Sequence, residues 1–102
     1  MKPIQKEALR LIAIEIARLT KVADAAARAA RIAHKRAAEA RMCYQSVRTT
    51  AAEEAMLSTS INEYMAIDNL VDADDAVKAG VAAREVVMAA LKAEAQEKPS
   101  PQ

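Results

Sequence analysis

The chain has 102 residues and contains neither Trp nor Phe; Tyr44 and Tyr64 are its only aromatic side chains. It has one Gly, one Cys, one His and three Pro. The prolines stand at Pro3, Pro99 and Pro101, so residues 4–98 hold no Pro and only Gly80 as a turn-former. Each shortage excludes something. A lone Cys43 cannot close an internal disulfide, and with His34 as the only histidine a thiolate zinc site is not available. One glycine is too few for a phosphate-cradling loop. The lack of alternating β-branched and aromatic residues leaves no strand pattern. No stretch of roughly 20 nearly uncharged residues exists to span a membrane. Ile4–Leu19 does not read as a signal peptide either, because Lys6, Glu7, Arg10, Glu15 and Arg18 interrupt it. A cytoplasmic protein is expected.

What remains is a helix-forming composition. Alanine is about a quarter of the chain, and Leu, Glu, Lys and Arg make up much of the rest. The expected fold class is all-α, a single domain over residues 1–96. The anticipated architecture is a long first helix with two shorter helices folding back, an antiparallel hairpin or three-helix arrangement that pairs into a dimeric bundle. The anticipated helices cover about 4–48, 51–67 and 73–96, and residues 97–102 read as a disordered tail. The heavy use of Ala and Arg is associated with bacterial or phage genomes.

The first helix is marked by a heptad seam. Leu9, Ile12, Ile16, Leu19, Ala23, Ala26, Ala30, Ala33, Ala37, Ala40, Tyr44 and Val47 follow one another at spacings of 3 and 4. Its middle is all Ala, which predicts a close helix–helix contact of modest stability, since each methyl contributes about 1 kcal/mol or less. Leu11 and Ile14 add apolar surface off the seam, so Ile4–Leu19 is expected to form a dimer core; a membrane-surface helix is the competing reading. Lys21, Arg28 and Lys35 recur every seven residues opposite the seam, and Asp24 is placed to pair with Arg28.

Further on, Thr50 with Glu53 and Ser60 with Glu63 have the spacing of capping boxes. Leu57, Ile61, Tyr64, Met65 and Ile67 form the expected apolar side of the second helix. Asp72, Asp74 and Asp75 read as the N-terminal cap of the third, with Asp74 paired to Lys78; a calcium loop is excluded by the missing Gly and Glu spacing. Gly80 lies on a small-residue series, Ala76, Gly80, Ala83, Val87 and Ala90, with Val77, Val81, Met88 and Leu91 on an adjoining face. That series is expected to cross closely over Ala23–Ala40 of the first helix.

Charge is divided along the chain. Residues 1–48 carry eleven basic and four acidic side chains, and residues 49–102 carry four basic and ten acidic, balances of +7 and −6 that sum to +1. The halves are expected to lie against each other. No catalytic, cofactor-binding or metal-binding set stands out, and no cofactor is expected. His34 sits among Arg31, Lys35 and Arg36, which would disfavour its protonation. Cys43 lies near Arg36 and Arg41 and reads as a packing residue. Three function classes stay open: a non-enzymatic interaction module (adaptor, regulator or inhibitor) docking on a larger protein, probed through its packing surfaces; a nucleic-acid binder using Arg18, Lys21, Arg28, Arg31, Lys35, Arg36 and Arg41; and a coiled-coil part of a larger assembly.

Overall fold

The computed structural model describes residues 2–97. Within them the chain is a hairpin of two long antiparallel helices, α1 (Pro3–Ser46) and α2 (Thr50–Glu97). The expected tail beyond Glu97 lies outside the described residues. The molecule measures 85 × 17 × 13 Å with a radius of gyration of 23.1 Å. A compact domain of this length would have a radius near 13 Å. With neither Pro nor Gly inside it, α1 has no residue that would end it, and the result is a rod.

Each terminus of the hairpin has a local cause. Pro3 occupies the first turn of α1, where its missing N–H is not needed. The Gln5 side-chain oxygen accepts the Lys2 backbone N–H at 2.9 Å. The connection between the helices is Val47-Arg48-Thr49. Val47 is extended and closes α1 with its N–H on the Cys43 carbonyl at 2.8 Å. It therefore leaves the seam that its spacing had placed it on, and is exposed. The Thr49 hydroxyl accepts the Ala52 N–H at 3.1 Å. Thr49, not Thr50, is thus the N-cap of α2.

The expected break at Asp68–Asp72 does not occur, and a third helix does not form: α2 runs unbroken to Glu97. Asp72, Asp74 and Asp75 are exposed residues in its interior, not caps. Ser60 and Glu63 likewise lie mid-helix rather than in a capping box. The physical reason is continuity of contact. Asp costs well under 1 kcal/mol of helix propensity per residue. A break would orphan several backbone groups at each new end and interrupt packing along α1.

That packing follows a second heptad seam. Ala52, Met56, Thr59, Glu63, Ala66, Leu70, Ala73, Val77, Gly80, Arg84, Val87 and Leu91 are spaced 4 and 3 throughout, and all are partly buried. Polar residues interrupt it, which hides it from a search for apolar periodicity. They are accommodated individually. The Thr59 hydroxyl donates to the Ala55 carbonyl of its own helix at 2.8 Å. Arg84 has a long apolar stem that can line the seam. Glu63 is held by His34 and Arg41 of α1, as described below. On α1, the eleven seam residues from Leu9 to Tyr44 are all partly or fully covered, and Ala23, Ala30 and Ala37 are buried.

The crossing at Gly80 is displaced from its expected position. A Cβ there would lie 3.2 Å from Ile16 Cγ1 and 3.6 Å from Leu19 Cδ1. Gly80 therefore meets the large side chains at the start of α1, not the Ala23–Ala40 zone. Glycine on one helix makes room for Ile and Leu on the other. The small-residue series also ends differently: Ala83 and Ala90 are exposed, because the seam passes through Arg84 and Leu91.

Candidate interaction surfaces

Two antiparallel helices are related by a twofold axis perpendicular to their common plane. Like flanks of the two seams therefore share a face of the rod. Residues just before the seam positions form one face, and residues just after them form the other. Contacts in the structure agree. Ala29, Ile32 and Arg36 of α1 line a shallow recess with Thr59 and Asn62 of α2 on the first face. His34 and Arg41 reach Glu63 towards the second.

The pairings also set the register. Lys2 faces Glu94 at 3.7 Å, Gln5 donates to Glu94 at 3.1 Å, Ile16 meets Gly80, and His34 meets Glu63. Residue numbers at equal height on the two helices sum to about 96. The basic half of the chain thus lies along the acidic half, as its charge division requires.

Glu63 is the most structured polar position. Its side chain is 16 % exposed and accepts a hydrogen bond from the His34 imidazole, with Arg41 Nη1 3.6 Å away. The hydrogen bond to His34, reinforced by Arg41, holds the Glu63 carboxyl below the usual carboxylate range. The Glu63 carboxylate of α2 thus joins Arg31, Lys35 and Arg36 among the neighbours of His34. On α1, Glu7 pairs with Arg10 and Glu15 with Arg18 at i,i+3, and each Glu is lowered by its Arg. Neither Asp24–Arg28 nor Asp74–Lys78 closes to a salt bridge among the described residues. Lys21, Arg28 and Lys35 stand exposed on the back of α1, opposite its seam. Arg31 and Arg36 are exposed on its flanks.

No family model, curated protein or solved structure matches this chain.

The apolar residues expected to pack in the first part of α2 are all outside. Leu57, Ile61, Tyr64, Met65 and Ile67 are exposed, Tyr64 to 73 %. The side turned to α1 is Ala52, Met56, Thr59, Glu63, Ala66 and Leu70, which is smaller and more polar. On α1, Leu9, Ile12, Ile16 and Leu19 of the expected dimer core face α2 of the same chain, while Ile4, Leu11 and Ile14 are exposed. Val87 is partly buried on the α2 seam, Val77, Val81 and Leu91 are partly buried beside or on it, and Met88 is exposed. Cys43 is exposed rather than packed. Tyr44 is partly buried, with the Arg48 guanidinium 5.8 Å from its ring centre.

Among the described residues there is no group of three or more potential metal-ligating side chains, and no helix is long and apolar enough to cross a membrane. The dominant feature is unmatched apolar surface. Ile4, Leu11, Val22, Ile32, Leu57 and Tyr64 are among the large apolar side chains left exposed along both helices.

Proposed function

We propose that this chain is a non-enzymatic helical interaction module, an adaptor, regulator or inhibitor that self-associates and docks on a larger protein. The observation that carries this reading is the inversion in α2. The larger apolar side chains Leu57, Tyr64, Ile67 and Val71 face outward while Thr59 and Glu63 face the partner helix. Exposed apolar residues in line along a helix mark a binding surface. Their spacing of 7, 3 and 4 places them on one stripe, with Arg31, His34 and Arg41 of α1 alongside. A photo-crosslinking side chain at position 64, introduced in the source organism, tests this. A discrete adduct with one larger protein, lost on Val71→Asp, is expected. Adducts only between copies of the chain, or none, would refute docking through this stripe.

A second reading is supported by one observation. Lys21, Arg28 and Lys35 are exposed in a row about 10.5 Å apart, a spacing that can follow a phosphate backbone. Against it, the acidic α2 runs the whole length of α1 and opposes a net positive field.

A further inference from the structure

We infer that two copies of this chain pack face to face, loops at the same end, through the face carrying Val22 and Ile32, to make a four-helix bundle. The inference deepens the self-association proposed above and leaves the Leu57–Val71 stripe free for another partner.

The choice of face follows from charge. On the face that includes the Ala29–Asn62 recess, α1 exposes Ile4, Leu11, Val22 and Ile32. The flank of α2 on that side, from Asn62 to Ala93, carries a single charge, Asp72. The α1 charges there are Glu15, Arg18, Arg36 and Glu39, and the first two are paired with each other. The opposite face carries Arg10, Asp24, Arg31, Asp74, Lys78 and Glu85, with more at its ends. Burying a charge without a partner is costly, so the first face is the one a second copy can cover.

Area permits it. A rod face of 85 × 17 Å exceeds the roughly 800 Å² per partner of a stable interface. The need for cover is also plain, because among the described residues only Ala23, Ala30 and Ala37 are buried.

The orientation follows from charge complementarity. A twofold axis along the rod places α1 of one copy over α2 of the other and preserves height. Residues whose numbers sum to about 96 then lie level across the interface as well as within each chain. Lys21 stands level with the second copy's Asp75, and Arg28 with its Asp68, along the same outer edge. Neighbouring helix axes are about 8–10 Å apart, a distance that Lys and Arg side chains can bridge. Every helix then has two antiparallel neighbours of opposite charge. A twofold axis across the rod would set basic α1 on basic α1 and acidic α2 on acidic α2.

The native Cys43 makes this testable without substitution. It is the only cysteine, is exposed, and lies on the proposed face near the loop end. A spin label on Cys43 should give a label–label distance under about 30 Å in the same-end dimer. The reversed dimer, with Cys43 about 27 Å from the midpoint of the rod in each copy, should give more than about 50 Å. A monomer by sedimentation at 50 to 100 µM, on the order of ordinary assay concentrations, or a distance above about 30 Å, would overturn the inference. Val22→Glu with Ile32→Glu should weaken the dimer at least about tenfold, with helicity retained by circular dichroism. Ala13→Glu with Ala17→Glu, on the opposite face, should leave it dimeric; the reverse pattern overturns the choice of face. The wild-type distance decides the orientation even where the first variant fails to fold. A monomer would leave docking through the Tyr64 stripe standing, and loss of that docking would leave the dimer standing.

Discussion

Substitution of Gly80 measures how closely the helices approach. Gly in a helix interior costs about 0.5–1 kcal/mol relative to Ala, so propensity alone favours Gly80→Ala and, nearly as much, Gly80→Leu. The structure separates them. The added Cβ of Ala meets Ile16 Cγ1 at 3.2 Å and Leu19 Cδ1 at 3.6 Å, where ordinary carbon contacts begin at about 3.5 Å. Ile16 is β-branched and stiff, so its Cγ1 cannot swing away, and the helices must part by a few tenths of an ångström. Along a seam as long as this one that adjustment is small. Gly80→Ala is expected to stabilise by about 0.5–1 kcal/mol, or roughly 4 °C in Tm. Gly80→Leu drives three further carbons at Ile16 and Leu19 and incurs an overpacking cost of about 1–3 kcal/mol. It should fall about 1–3 kcal/mol below Gly80→Ala and melt no higher than the wild type. Ala82→Leu, at an exposed position two residues on and turned away from α1, should change stability by less than about 0.5 kcal/mol. Thermal and urea melts at one fixed protein concentration read all four chains, since association makes Tm concentration-dependent. If Gly80→Leu were as stable as Gly80→Ala, the close crossing would be wrong.

Ala37, with no exposed surface, should not accept a larger residue: Ala37→Leu is expected to lose about 1–3 kcal/mol by urea melts, and a neutral result would deny the close seam. Glu63→Gln tests the pairing of the halves through pH. The folded Glu63 carboxyl is depressed by His34 and then Arg41, so its stabilisation is present above the unfolded carboxylate value near about 4.3 and lost as pH falls through the folded value. Wild type should exceed Glu63→Gln at neutral pH, the gap closing below about pH 4; a gap that persists into acid would remove the electrostatic explanation. A gel shift with duplex DNA at 150 mM salt, roughly physiological, should show no submicromolar binding, because α2 neutralises α1. Tight binding there would favour the basic row over the apolar stripe as the functional surface.

Local sequence determined the helices themselves. With Gly80 as the only glycine and no proline between residues 4 and 98, nothing ends a helix except the capping chemistry at Thr49. The apolar spacing from Leu9 to Tyr44 determined which side of α1 is covered, and the charge division determined that the halves meet. Tertiary packing decided the rest. The α2 seam is interrupted by Thr59, Glu63 and Arg84, so its apolar period is broken and hard to read alone; the complementary face of α1 runs on in register and keeps the helix continuous through Asp68–Asp75. The same register placed Gly80 against Ile16 and Leu19, where its missing side chain leaves room, rather than against alanines that need none. It also turned Leu57, Tyr64 and Ile67 outward, because side chains fixed at heptad positions by neighbours along a 48-residue helix cannot rotate inward one at a time.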